Sequence, residues 1–161
     1  MHTLTIPEAA DKREFYEALR AQLASLLAGE RDLIANAANT AALLYHALPE
    51  VNWAGFYFLR GAELVLGPFQ GRPACVRIPL GRGVCGAAAQ TGQTQLVPDV
   101  HLFPGHIACD AASRSELVVP LKQGDALLGV LDLDSPRAGR FEDADRAGCE
   151  ELARLYVASI E

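Results

Sequence analysis

The sequence predicts a single α+β domain in which helices pack on one face of a mostly antiparallel sheet. The length of 161 residues suits one domain. Two helical stripes come first, a run of short strands follows, and one more helical stripe closes the chain. We therefore place helices in residues 1–48, the sheet and its loops in residues 50–140, and the last helix in residues 142–160.

Apolar residues recur at helical spacing twice near the start of the chain. The two stripes are Phe15, Leu19, Leu23 and Leu26, then Leu33, Ala37, Ala41, Leu44 and Leu48. Gly29 ends the first stripe and Pro49 ends the second. Neither stripe carries residues that suggest chemistry, so we expect these helices to cover the sheet or, in part, to form a dimer face.

Short segments rich in apolar and aromatic residues then predict strands. Their ranges are 52–59, 63–69, 75–80, 94–97, 115–121 and 126–134. A turn at Arg60-Gly61 joins the first two, and a tight turn at 123–125 joins the last two. Residues 81–92 predict a short helix, and residues 142–158 predict the last one. The apolar positions of that last helix are Ala147, Leu152, Leu155 and Tyr156.

Residues 98–113 predict a long loop, because they combine two prolines, a glycine and mixed polarity. Loops longer than about 12–15 residues in compact domains are usually functional or disordered. This one carries reactive and apolar side chains together, which are His101, His106 and Cys109, and Leu102, Phe103 and Ile107. That mixture favours a lid over a pocket.

Charge and patterning exclude several classes of function. Lys plus Arg is 14, Asp plus Glu is 20 and the net charge is −6 without any basic run, so we expect no nucleic-acid binding. No apolar run approaches the roughly 18 residues of a membrane span, so we expect no membrane insertion. The first residues lack the pattern of a secretory signal peptide, which favours a cytoplasmic protein. A structural disulfide scaffold is disfavoured in that reducing compartment.

Four cysteines occur without any Cys-x-x-Cys pair, namely Cys75, Cys85, Cys109 and Cys149. The first three lie within 35 residues of one another, near predicted turns or loops. This clustering indicates redox chemistry, although free cysteine is also an ordinary small core residue. Cys149 lies in the last predicted helix, where we expect it to be part of the core.

Two of these thiols lie close in sequence to groups that lower a thiol pKa. Cys85 follows Arg82 near a predicted helix start, and both a helix N-terminus and a cation favour the thiolate. The basic residues near Cys109 are His101, His106 and Arg114. The two histidines and Cys109 lack a fourth ligand at a sensible spacing, so the sequence predicts no metal site.

Three carboxylates fall on two neighbouring predicted strands. Asp132 and Asp134 are two residues apart, so they share one strand face, which also carries Leu128 and Val130. Glu116 opens the neighbouring strand and could join them. Acids crowded in a half-apolar cleft raise one another's pKa, and they can donate a proton or hold an ammonium group. The alternative is an exposed strand end that leads into a turn.

Five aromatic residues fall within 17 positions, which are Trp53, Phe56, Tyr57, Phe58 and Phe69. Trp53 and Tyr57 lie on the same strand face. Such a cluster is typical of a core, but it also suits a rigid wall for a small apolar group.

Three segments, residues 67–86, 97–120 and 129–136, resemble the GAF-domain free methionine-(R)-sulfoxide reductases. They contain three cysteines at the family spacing, the sequence Pro-Gly-His-Ile-Ala-Cys-Asp and an Asp-Leu-Asp strand, in that order. The similarity covers roughly residues 50–140 and is specific, whereas the fold alone would not indicate this activity. The resemblance implies reduction of free L-methionine-(R)-sulfoxide to methionine, with electrons from thioredoxin and no metal or organic cofactor.

The resemblance also implies a role for each candidate residue. Cys109 matches the attacking cysteine, Cys75 the main resolving cysteine and Cys85 an accessory thiol, so the oxidised protein should contain a Cys75–Cys109 disulfide. Glu116, Asp132 and Asp134 match the family's acids, and Trp53 and Tyr57 match its aromatic wall.

We expect Asp134 to donate a proton to the sulfoxide oxygen with help from Glu116. Asp132 should contact the ammonium group, a contact that Glu116 could share. GAF domains often pair through their flanking helices, so we expect a homodimer.

The alternative function is a GAF-type module that senses or binds a small molecule, with incidental or oxidant-sensing cysteines. A sensor usually carries an output domain, and a chain of 161 residues leaves no room for one, which favours the enzyme.

Overall fold

The structure is a computed structural model that describes residues 3–107 and 109–161. Met1, His2 and Ala108, the last of which falls in the predicted long loop, lie outside the described residues. The helices are α1 (Lys12–Leu27), α2 (Leu33–Ala47), α3 (Gly83–Thr91) and α4 (Asp143–Ser159). The strands are β1 (Trp53–Arg60), β2 (Glu63–Gly71), β3 (Arg77–Pro79), β4 (Gln95–Val97), β5 (Ser115–Gln123) and β6 (Ala126–Ser135).

Side-chain caps fix where the long helices begin. The carboxylate of Asp11 accepts the N–H of Glu14 at the start of α1, and Asp32 does the same for Ala35 in α2. Each cap satisfies a backbone donor that has no partner inside the helix. The short helix α3 ends at Gly92, which adopts the left-handed conformation that favours glycine.

The six strands form one sheet in the order β3-β2-β1-β6-β5-β4. Every pairing between neighbours is antiparallel. Two hairpins, β1–β2 and β5–β6, meet through β1 and β6 at the centre of the sheet, so the middle strands come from distant parts of the chain. This architecture confirms the α+β fold class and the predicted hairpins.

The two faces of the sheet pack against different parts of the chain. One face carries Phe56 and Phe58 and is covered by α1, α2 and α4, as the sequence predicts for the long helices. The opposite face carries Trp53 and Tyr57 and packs against α3 and the loop 98–113. The short helix therefore does not join the others, and its position creates a pocket on the second face.

Two positions differ from the sequence prediction. Leu128 does not share the face of Val130, because a register shift between β5 and β6 turns Leu128 toward the helix-covered core. Ala147 is exposed in α4, whereas the next residue, Gly148, packs against the ring of Tyr16. Cys149 is fully buried in that same core, as expected.

Within residues 3–107 and 109–161, no helix combines the length and the apolar character that crossing a bilayer would require.

Candidate active site

A pocket opens on the second face of the sheet, between β1, β5 and β6 below and α3 with the long loop above. Seven of the eight predicted site residues line it, namely Trp53, Tyr57, Cys85, Cys109, Glu116, Asp132 and Asp134. The eighth, Cys75, is bonded to Cys109 at the pocket wall. The fold thus gathers residues from six separate segments of the chain.

The Cys75–Cys109 pair forms a disulfide, as the resemblance implies. The two Cα atoms are 5.6 Å apart, although 34 residues separate them in sequence. Cys109 lies in the exposed part of the loop, and Cys75 lies between β2 and β3. The bond therefore joins the lid to the opposite wall of the pocket.

The aromatic wall holds the chain segment that precedes β3. The indole N–H of Trp53 donates to the carbonyl oxygen of Arg72 at 3.1 Å. The hydroxyl of Tyr57 donates to the carbonyl oxygen of Cys75 at 3.0 Å. Trp53 also stacks between Tyr57 and Phe69, with ring centroids 5.9 and 5.2 Å away. Rings fixed in this way form a rigid apolar surface beside the disulfide.

The three acids project from neighbouring strands into the same pocket. Glu116 pairs directly with Asp134 across β5 and β6, and Asp132 is two residues from Asp134. Glu116 and Asp132 are only 6% and 5% exposed and Asp134 is half-buried, so the alternative of an exposed strand end is wrong for Asp132. Burying three carboxyls together disfavours three negative charges.

Burial is the main cause of the altered pKa values of these acids. It raises the pKa of Glu116 and of Asp134 well above their usual ranges, and the charge of Asp132 raises both further. Burial also raises the pKa of Asp132, but hydrogen bonds from Glu116 and Cys85 hold it to about 6. Glu116 and Asp134 therefore keep their protons to a higher pH than ordinary carboxyls, and Asp132 is the acid of the three that ionises most readily.

Asp132 is also the acid with unused hydrogen-bonding capacity. Its Oδ1 atom is buried and has no hydrogen-bond partner among the described residues. An unpaired buried acceptor is costly, and a cationic ligand group would remove that cost. The pocket therefore offers a fixed negative site for a small ammonium group.

Cys85 is a buried thiol whose surroundings oppose the pKa-lowering effects expected from its neighbours in sequence. It is the third residue of α3, and its Sγ lies 3.8 Å from Oε1 of Glu116. Burial raises the pKa of Cys85 well above its usual range, and the charges of Asp132 and Glu116 raise it further. These effects outweigh the helix N-terminus and the nearby Arg82.

The cations predicted near Cys109 have other partners. Arg114 and His101 both pair with Asp99, at 3.7 and 3.0 Å. His106 lines the pocket, but burial lowers its pKa, so its imidazole is neutral near pH 7. The expected cation at Cys109 is therefore not supplied by these residues.

Sequence reasoning missed three polar residues that line the pocket, namely Arg72, Asp110 and Ser113. Arg72 lies 3.9 Å from Asp110, and the side-chain amide of Asn52 lies within 3.5 Å of both Asp110 and Ser113. The only sequence signal is proximity, because Arg72 precedes Cys75 by three residues and Asp110 follows Cys109.

Among the described residues, one group brings three potential metal ligands together, and it is not the predicted loop set. Ligand atoms of Cys85, Glu116 and Asp132 all lie within 4.8 Å of one another. Burial raises the pKa of Cys85 and of Glu116 well above their usual ranges, so this site opposes loss of their protons. We interpret this cluster as an acidic binding site, because metal ligands must be deprotonated.

The acids predict an unusual pH dependence of stability. The pKa of Asp132 is about 6 in the folded protein against an ordinary 3.8, so the native state binds more protons than the unfolded state between these values. The free energy of unfolding should therefore fall as the pH rises from 4 to 7, by about 2–3 kcal/mol from this residue. Thermal unfolding of the ligand-free protein and of Asp132→Asn across this range measures the effect. The variant should gain stability relative to the wild type as the pH rises, and a constant difference would contradict the assignment.

Comparison with known proteins identifies the family to which the chain belongs. The GAF domain family model matches residues 11–160. The chain is 56% identical over 151 residues to the free methionine-R-sulfoxide reductase of Escherichia coli (strain K12), covering 94% of this chain and 89% of that protein.

Two solved structures are also similar. The free methionine-R-sulfoxide reductase of Neisseria meningitidis, solved in complex with its substrate, is 46% identical with a TM-score of 0.94, covering 99% of this chain and 96% of that one. A protein of Burkholderia vietnamiensis, described as a GAF sensor protein, is 65% identical with a TM-score of 0.89, covering 92% of this chain and 94% of that one. The chain therefore belongs to the GAF-domain family, in the group of the free methionine-R-sulfoxide reductases.

Proposed function

We propose that the protein reduces free L-methionine-(R)-sulfoxide to L-methionine through a cysteine thiolate and an intramolecular disulfide. The observation that carries the proposal is the Cys75–Cys109 disulfide beside a pocket with an aromatic wall and a buried acid cluster. Two relatives over most of the chain are named for this activity.

The proposed chemistry begins at Cys109. Its thiolate attacks the sulfoxide sulfur, which becomes electrophilic when a proton is delivered to the oxygen. Methionine leaves, the oxygen stays on the cysteine, and Cys109 becomes a sulfenic acid. The thiol of Cys75 then attacks that sulfur, a disulfide forms and water is released. A dithiol reductant such as thioredoxin supplies the two electrons and two protons that restore both thiols.

The acids divide the remaining tasks in this proposal. Asp134 gives its proton to the sulfoxide oxygen, and Glu116, whose pKa burial also raises, assists. The unpaired Oδ1 of Asp132 accepts the substrate ammonium. Backbone N–H groups of the glycine-rich segment before α3, where Gly83 lines the pocket, suit the substrate carboxylate.

Substrate choice follows from this geometry. We expect the R epimer of free methionine sulfoxide to be reduced, and the S epimer and peptide-bound sulfoxide to be poor substrates. Trp53 packs against the S-methyl group and sets which face of the sulfur meets Cys109. A misplaced methyl group changes the binding free energy by only about 1–3 kcal/mol. Strict selectivity therefore also needs a hydrogen bond from Asp134 to the sulfoxide oxygen. Separate assays of both epimers and of a sulfoxide-containing peptide test this substrate preference. Equal rates with both epimers would contradict the proposed roles of Trp53 and Asp134.

The activity itself is tested by NADPH oxidation coupled through thioredoxin reductase and thioredoxin. Turnover with free methionine-(R)-sulfoxide above a control without enzyme supports the enzyme. The second candidate function is small-molecule sensing, which the description of the Burkholderia vietnamiensis protein favours. Absence of turnover with thioredoxin and also with dithiothreitol would support that alternative.

The remaining proposals concern the setting of the reaction. Recycling by thioredoxin needs a reducing compartment, which fits the expected location in the cytoplasm. The homodimer through the flanking helices α1, α2 and α4 also stays a prediction.

A further inference from the structure

The surface around the disulfide has an exposed apolar residue at a fixed position. Val76 follows Cys75 directly and is 62% exposed. Its carbonyl oxygen accepts the N–H of Leu66 in β2 at 2.9 Å, so the backbone beneath the side chain is held by the sheet. Several large apolar side chains are exposed among the described residues. Of these, Val76 is the one that neighbours a disulfide cysteine in sequence.

The charge around this residue differs from that of the whole protein. The net charge is −6, yet residues 64–98 contain three arginines and no aspartate or glutamate. Arg72 and Arg82 are exposed and lie at the mouth of the pocket, where Arg72 is 3.9 Å from Asp110 and remains largely open to solvent. Arg77 is also exposed, but it pairs with Glu63. We call the exposed residues Arg72, Pro73, Val76 and Arg82 the disulfide rim.

We propose that the disulfide rim is the docking surface for the protein dithiol that recycles the enzyme, with Val76 as its apolar centre and the arginines facing negative charge on the partner. This inference rests on the proposed function, which requires such a reductant. Thioredoxin-type proteins carry out this dithiol–disulfide exchange, and we assign one of them as the protein that binds the disulfide rim.

The exchange reaction explains why a rim is needed. A thiolate of the partner attacks one sulfur of the Cys75–Cys109 bond, that bond breaks and the other sulfur leaves as a thiolate. The second thiol of the partner then attacks the mixed disulfide, which leaves the enzyme reduced and the partner oxidised. Both steps require the partner to hold its sulfur in line with the bond. Short-lived redox complexes use small interfaces, so one exposed apolar residue can contribute a large share of the contact.

Substitution of Val76 separates docking from catalysis, because Val76 does not line the substrate pocket. Val76→Asp should raise the KM for thioredoxin about tenfold, since it removes the apolar contact and adds a negative charge where the proposal places negative charge on the partner. Val76→Lys loses the same apolar contact, but its charge has the same sign as the arginines of the disulfide rim. The KM for thioredoxin should therefore rise less in this variant. Ile6→Asp, at a similarly exposed apolar residue that precedes α1, is the matched control and should leave this KM unchanged.

Dithiothreitol provides the second arm of the experiment, because a small dithiol needs no docking surface. All three variants should match the wild type with dithiothreitol, which also verifies that each variant is folded. A wild-type KM for thioredoxin in both Val76 variants would overturn the proposal that the disulfide rim is the docking surface. An equal rise of this KM in the two variants would overturn the proposal that the arginines face negative charge on the partner. Wild-type turnover with dithiothreitol but not with thioredoxin would overturn the partner class. Absence of wild-type turnover with either reductant would instead contradict the proposed function.

Discussion

Replacing Cys109 with serine should abolish turnover, including release of the first methionine from each enzyme molecule. A serine hydroxyl is hardly ionised near neutral pH and cannot take up the sulfoxide oxygen as a sulfenic acid. The measurement is methionine released in a single turnover by fully reduced enzyme, without a recycling system. This design isolates the first chemical step from disulfide formation.

Two companion variants make that result specific. Cys75→Ser should release close to one methionine per enzyme and then fail to recycle, unless Cys85 replaces the missing thiol. Replacement should be poor, because burial among acids keeps Cys85 protonated, as its raised pKa indicates. Cys149→Ser is the control, since this thiol lies in the core on the helix-covered face, 3.8 Å from the hydroxyl of Tyr16. A normal burst from Cys109→Ser would refute the assignment.

The second large effect concerns the proton donor. Asp134→Asn should slow the first turnover by about 10²–10⁴-fold, the usual contribution of general acid catalysis, while substrate still binds. Asparagine keeps the shape of the side chain but has no acidic proton. Single-turnover methionine release at saturating substrate measures this rate, and Asp125→Asn in the exposed β5–β6 turn serves as the control.

Asp132→Asn should act mainly on binding. Loss of one partner from a desolvated charge pair costs about 2–5 kcal/mol, so a much higher substrate concentration should restore most of the rate. A near-normal rate in Asp134→Asn together with loss of the rate in Asp132→Asn would show that Asp132 donates the proton and Asp134 binds the ammonium group. Normal rates and normal binding in both variants would make the acids structural.

The parts of the site that follow local rules were predictable from the sequence. A strand turns successive side chains to opposite faces, so Asp132 and Asp134 had to share one. The same rule placed Trp53 with Tyr57 and separated them from Phe56 and Phe58. The hairpin turns are local as well, and both lie where the sequence indicates.

The features that were wrong or missed depend on distant residues. Leu128 faces the other core because of a register shift between two strands, which no pattern within β6 reveals. Cys85 resembles a low-pKa thiol until the fold places Glu116, 31 residues away, beside its sulfur. Arg114 follows Cys109 closely in sequence, yet its partner is Asp99. Burial and pairing across the chain determined each outcome.

The hydrogen bonds from Trp53 and Tyr57 to the segment before β3 bear on how this site can diverge. The rings that line the pocket also hold the backbone carbonyl groups of Arg72 and Cys75. Under the proposed mechanism, a substitution of either ring that admits a larger thioether would remove one of these hydrogen bonds and shift the sulfur of Cys75. Substrate range and recycling are therefore inherited together, and a lineage that broadens one must repair the other by a compensating change in the 72–76 segment.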